Sequence, residues 1–522
     1  MNTRKATTCL LIVKLILFCF SAPAWAYQRF ENPPQYRDYN IDAISLSRIY
    51  LHFGDRLWLI KQQLNDNAYH ALKFIADSSG DGLKPNDYNY DFLQQLDPAA
   101  SQIEAQLFDR LLSDGLLKLI RDISIGRLDP KIVDPKWAIP RAQFDAVAFL
   151  QQALSTGHLK QALQTLLPAS EQYRQLKAAA AEYKSYINRG GWPKIPDSPV
   201  LQAGDRHTNI PAIRQRLAFE DSALDLTAAE QPRLFDESLK QAVQGFQRRH
   251  SLPADGIIGS ATLRAMNVSA ADRLQQIHIN LERLRWLPDE LGKRYLLVNL
   301  ANYRLTAIEE NKVKLDMPVI VGKTSRSTPS FISQMTNIAL NPHWYVPNKL
   351  ARLDLLPKQQ NNPDYFAHYN IRVFSNENGD KTEIDPDAID WHDVNEQYFP
   401  YSLVQDPGEK NALGRLKFVM PNPWRIYLHD TPSKSLFQQR QRNFSAGCIR
   451  VADPLALAVF SLAGNTDRQA LVDIINSNKS YSIALEQPLP VYVIYATAWH
   501  KDKQLMFSPD SYRRDQKMSE YL

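Results

Sequence analysis

A chain of 522 residues is too long for one hydrophobic core and implies roughly three or four domains. With 44% hydrophobic and 22% charged residues it reads as globular protein, not as a disordered or fibrous chain. The formal net charge of +5 drops to +2 without residues 1–26, which hold Arg4, Lys5, Lys14 and no acid; that is too little to suggest a nucleic-acid partner.

The chain opens with "MNTRKATTCLLIVKLILFCFSAPAWA". Arg4 and Lys5 form a basic start, a short apolar run is broken by Lys14, and Ala24-Trp25-Ala26 fits a small-x-small cleavage site. Residues 1–26 read as a signal peptide, with an uncleaved N-terminal anchor as the alternative. Cys9 and Cys19 lie in this leader, so export would leave Cys448 as the one remaining thiol. Such a cysteine is either reactive or a buried structural residue.

Residues 27–188 read as a helical scaffold domain. "LSDGLLKLIRDISIGRLDP" carries apolar residues at helical spacing and ends in a Gly-Arg-x-x-Pro stop. His52, His70 and His158 are isolated and suggest no chemistry. The stretch 189–205, rich in Gly and Pro, reads as a linker.

Residues 206–270 form a compact helical module. Leu239, Ala242, Val243 and Phe246 share a helix face, and Asp255-Gly256 and Gly259 mark turns. "AVQGFQRRHSLPADGIIGSATLRAM" resembles the three-helix peptidoglycan-binding domain. Its pattern falls on Phe246, Gln247, Asp255, Gly256, Gly259 and Thr262, most of which are expected to hold the fold and not to touch glycan.

From residue 293 the pattern changes to alternating β-branched and polar residues, which predicts strands. A polar stretch at 349–412 is too long for a structureless loop in a compact domain, so a capping subdomain is expected. "WRIYLHDTP" predicts a strand with Ile426 and Leu428 on one face and Tyr427 and His429 on the other. A half-exposed His429 is expected at its mouth. Asp453-Pro454 predicts a helix start, with aspartate as N-cap. Residues 481–522 read as a C-terminal hairpin and tail.

The fold expectation is a multidomain α+β chain: a helical N-terminal domain, a three-helix module, and a mostly-β, sandwich-like catalytic domain over 293–480.

His429 and Cys448 lie 19 positions apart. Cysteine attacks as thiolate, and its free pKa of roughly 8.5 leaves little thiolate at neutral pH; a nearby imidazole can take the proton. The carboxylate of Asp430, or neighbouring backbone carbonyls, would hold the imidazole tautomer. Gly447 allows a sharp turn, and backbone N–H groups around Gly447 and Cys448 would face an oxyanion, with Tyr427 as a further donor.

"HDTP" followed by "SAGCIRV" resembles the signature of the YkuD-type L,D-transpeptidases. The resemblance extends through "SIGRLDP", "NPHWYVP", "QDPGEKNALG" and "TAWHKDKQLMFSPD" to the large Gram-negative periplasmic form. It implies Cys448 as acyl-enzyme nucleophile and His429 as its base. It also implies substrate contacts from Arg450, Ser445 and Trp344, and no metal or cofactor. Ala446 departs from the pattern, standing where many members carry a second histidine.

The implied reaction takes a tetrapeptide stem, releases D-alanine, and passes the acyl group to a diaminopimelate amine as a 3→3 cross-link. The implied partners are peptidoglycan stems and glycan, with other cell-wall synthases; membrane contact would come only through a retained N-terminal segment. Carbapenems would acylate the same thiol. The alternatives are an L,D-carboxypeptidase or cysteine endopeptidase of the wall, and a non-catalytic wall-binding scaffold.

Overall fold

The computed structural model describes residues 41–221, 231–375, 381–464 and 466–522. The expected signal or anchor, with Cys9 and Cys19, lies outside the described residues.

The N-terminal body is helical and centres on the helix Gln102–Ile125. Ser101 caps it by accepting from the Glu104 N–H, and Gly126 ends it at a φ of 83°. Phe108, Leu112, Leu116, Leu119 and Ile123 recur every three or four residues and are buried among the neighbouring helices. The sequence did not suggest the small hairpin here, β1 (Leu59–Ile60) and β2 (Gln63–Leu64). Its turn residues Lys61 and Gln62 both take positive φ, without the Asn-Gly or Asp-Gly that would announce such a turn.

The next module packs the helices Ile210–Ala218, Glu237–Arg249 and Ser260–Met266 around Ile213, Leu217, Val243 and Phe246. The Gln247 amide donates to Asp255 and to the Ile257 carbonyl, and accepts from the Gly256 N–H at 2.8 Å. Thr262 lies within 3.2 Å of the same amide. These motif residues therefore tie the last turn to the second helix.

The helix Ala270–Arg285 leads into the β-rich domain. That domain begins with β3 (Arg294–Asn299), β4 (Arg304–Glu309), β5 (Lys312–Gly322) and β6 (Phe331–Leu340). A separate antiparallel sheet follows, with β7 (Trp344–Tyr345), β8 (Ile371–Ser375), β9 (Thr382–Ile384) and β10 (Tyr401–Gln405) in the order β7-β10-β8-β9. Its own core gathers Leu355, Phe366, Val373, Trp391 and Leu403. The expected insertion is thus a folded subdomain, and it takes in Trp344 ahead of the expected start at 349.

The chain then returns to the large sheet with β11 (Leu416–Val419), β12 (Leu428–His429), β13 (Asn443–Ser445), β14 (Ile449–Val451) and β15 (Tyr481–Ile494), and ends in the hairpin of β16 (Ala498–Lys501) and β17 (Gln504–Phe507). The large sheet runs β13-β5-β14-β12-β11-β6-β15-β3-β4, and β4 also pairs with β5. The two faces of the expected sandwich are therefore parts of one sheet that closes on itself, around Val298, Val319, Phe331, Phe418, Leu428, Ile449 and Val491.

The expected domain end at residue 480 needs correction. β15 lies between β6 and β3, pairing with both, so 481–494 are central to the sheet and not part of a tail. Tyr492 and Ile494 also share a core with Trp137 and Ile139 of the N-terminal body, Trp286, and Met518 near the chain end.

Candidate active site

The ladders fix the site. Leu428 pairs with Ile449 and His429 with Arg450 in parallel register, and β11 places Lys417 opposite His429. Leu416, Phe418, Leu428 and Ile449 face the core, so the residues between them share the opposite face. One row across three strands reads Lys417, His429, Arg450. Two residues earlier along β12 and β14, the same register sets Tyr427 beside Cys448.

Tyr427 meets the Cys448 sulfur through both its backbone and its phenol, and the phenol also meets the Trp344 side chain. Its ring stands edge-on to His429 at 5.5 Å, and the Lys417 ammonium lies 4.2 Å from the ring centre. Trp344 thereby brings the inserted sheet into the site. Arg326, from the loop after β5, pairs with Asp354 of the insertion at 2.5 Å.

Burial pushes the Cys448 thiol up, against the opposing pull of the Tyr427 contacts and the Lys417 and Arg450 charges. Burial lowers His429 to about 3, and the Arg450 charge adds to this; backbone at Asp430 and Leu413 acts the other way. The imidazole is neutral at physiological pH. It is also buried, not half-exposed as expected, because β11 and β14 flank it on both sides. No acceptor lies in hydrogen-bonding geometry at its Nδ1 among the described residues.

Two further expectations are corrected. The Asp430 carboxylate accepts from the Arg415 N–H at 2.8 Å and pairs with Lys434, so it does not hold the His429 ring. Gly414 at φ 62° is needed there, since a Cβ would collide with that carboxylate. Ser445 is buried, and its hydroxyl donates to the Cys448 carbonyl and accepts from the Gly447 N–H at 3.1 Å, so the hydroxyl is taken up in shaping the turn.

Gly447 sits at φ 130°, and its carbonyl accepts from Thr328 at 2.8 Å. Thr328 also accepts from the Gly322 N–H, and its own carbonyl accepts from Arg514. Ala446 is exposed at the turn. Sequence reasoning missed Lys417. The one available signal was a lysine alternating with the buried Leu416 and Phe418 in "GRLKFV"; its closeness to His429 depends on strand register.

Comparison with known proteins matches residues 293–474 to the L,D-transpeptidase catalytic domain, 206–266 to a peptidoglycan binding domain, and 45–179 to a scaffold domain. The chain is 35% identical over 247 residues to a Haemophilus influenzae protein named as an L,D-transpeptidase, covering 47% of this chain and 49% of that protein. It is 38% identical over 80 residues to the N-acetylmuramoyl-L-alanine amidase CwlM of Mycobacterium tuberculosis, covering 14% and 20%. Thus the chain spans about half the length of the first relative and a fifth of the second. The crystal structure of an L,D-transpeptidase from Stackebrandtia nassauensis aligns at 13% identity and a TM-score of 0.22, over 58% of this chain and 97% of that one. Cys448 and its neighbours therefore lie in the stretch that matches the L,D-transpeptidase catalytic domain, in one chain with stretches that match a peptidoglycan binding domain and a scaffold domain.

Proposed function

We propose that this protein is a peptidoglycan L,D-transpeptidase, exported through residues 1–26 and working in the periplasm. The grouping of Cys448, Tyr427 and His429 on one sheet face carries this reading. Cys448 attacks the carbonyl of the bond between the L-centre and D-alanine in a tetrapeptide stem. Its proton passes to His429, which returns it to the leaving amine. The thioester is then opened by the side-chain amine of a diaminopimelate on a second stem, giving the 3→3 cross-link.

The shifts at the site favour a concerted proton transfer. A raised thiol and a lowered imidazole make a free thiolate–imidazolium pair costly, so the proton moves as sulfur attacks. The Gly447 N–H is already held by Ser445, so oxyanion contacts fall to Cys448's own N–H and to Tyr427. The phenol of Tyr427 titrates well above its usual range, which keeps it a donor. The inserted sheet, reaching in through Trp344, restricts water and favours an amine over hydrolysis. Residues 206–270 hold glycan near the site.

Mass spectrometry of tetrapeptide muropeptides incubated with the full chain tests the reading. A cross-linked dimer with loss of D-alanine is expected. Tripeptide alone would make the protein a carboxypeptidase, a cut cross-bridge an endopeptidase, and unchanged substrate would overturn any catalytic role.

The pH dependence follows from the same shifts. Alkylation of Cys448 by iodoacetamide should still be rising at pH 9, because burial holds the thiol above its ordinary value. No step should appear near 6.5, because His429 titrates at about 3. A plateau reached by pH 7 would show a preformed thiolate and contradict the concerted route.

A further inference from the structure

Two cations flank His429. Lys417 lies opposite it on β11 and Arg450 opposite it on β14, so three neighbouring strands present Lys417, His429 and Arg450 in one row. Each cation is half-buried, and among the described residues the group whose negative form would favour each is the Cys448 thiol. Burying cations without paired carboxylates is costly, and the cost is tolerated where a ligand supplies the missing charge. The count decides what that ligand carries. With His429 and the Cys448 thiol both uncharged before attack, the two cations call for an anionic ligand.

The geometry points to where that anion sits. Lys417 and Cys448 belong to strands two spacings apart, about 10 Å between backbones. The lysine stem covers part of this gap, with its ammonium over the Tyr427 ring, and that ring in turn meets the Cys448 sulfur. A group within about one residue length, roughly 3.8 Å, of the attacked carbonyl would fall within reach of Lys417. In the donor stem of the reaction proposed above, on which this step rests, the group one residue beyond that carbonyl is the C-terminal carboxylate of the departing amino acid.

We propose that Lys417 binds the C-terminal carboxylate of the residue released from the donor, with Arg450 closing the other side of the thiol, so that Lys417 selects stems ending in a free carboxylate. The ammonium makes a charge-assisted contact in a partly dehydrated site, where such contacts are strongest. The contact forms before the bond breaks and is lost when the amino acid leaves, so it acts on donor capture and not on thioester opening.

The test measures binding apart from turnover. Full-length Cys448→Ala protein is titrated calorimetrically with a tetrapeptide stem ending in a free carboxylate and with the same stem ending in a carboxamide. The comparison is repeated with Lys417→Gln and Lys417→Arg added, and thermal melts check that each variant folds. With Lys417 present, the acid should bind about 10- to 100-fold tighter than the amide. Lys417→Gln should bind both equally, and Lys417→Arg should restore the preference. An acid preference that survives Lys417→Gln overturns the proposal. Equal weakening of both peptides by Lys417→Gln, or failure of the acid stem to bind the parent protein, also overturns it. If a Lys417-dependent preference is found while the muropeptide assay shows no chemistry, the subsite stands and the transpeptidase reading falls.

Discussion

Cys448→Ala protein is expected to take up no carbapenem, whereas the wild type should gain the mass of one carbapenem molecule. Release of D-alanine from a tetrapeptide stem should fall by roughly 10⁴-fold or more, since the attacking sulfur is gone. Peptide mapping should locate the wild-type adduct between Ser445 and Arg450. The substitution removes one sulfur from a turn held by Thr328 and Ser445, whose bonds run to backbone, so the turn should persist and the loss be one of chemistry. A carbapenem adduct on the alanine variant would remove Cys448 from the mechanism.

His429→Ala should slow acylation by about 10²- to 10⁴-fold while Cys448 stays in place. His429 fills a buried site between β11 and β14, so alanine also leaves a cavity, and a lower melting temperature is expected beside the rate loss. His429→Gln separates the two effects. Glutamine fills more of the space but cannot accept the thiol proton, so stability should largely recover while acylation stays slow. Stopped-flow acylation by a carbapenem provides the rate. A His429→Gln enzyme that acylates at the wild-type rate would show that the imidazole only packs.

Local pattern made much of this legible. Alternation in "WRIYLHDTP" set Tyr427 and His429 on one face, and Asp453 caps its helix by accepting from the Ala456 N–H. The network of Gln247, Asp255, Gly256 and Thr262 accounts for the spacing read in the second module. What stayed hidden depends on pairing between distant segments. Lys417 gains meaning only when β11 aligns with His429. Asp430, next to the histidine in sequence, is turned away by Arg415 and Lys434. β15 looked peripheral because half of "LPVYVIYATAWHKDKQLMF" forms the terminal hairpin, and nothing in its composition places the other half between β6 and β3.

β15 and Arg514 carry a consequence for how the surroundings of Cys448 are assembled. β15 fills the gap between β6 and β3, and Arg514 grips the Thr328 carbonyl behind the Gly447 turn while its guanidinium also approaches Asp134 of the N-terminal body at 3.5 Å. The thiol's surroundings therefore wait on residues made some thirty to seventy positions after Cys448 itself. A chain lacking these downstream segments holds the cysteine without the contacts that fix its turn. The turn that carries the thiol is thus anchored by segments far downstream of it in the sequence.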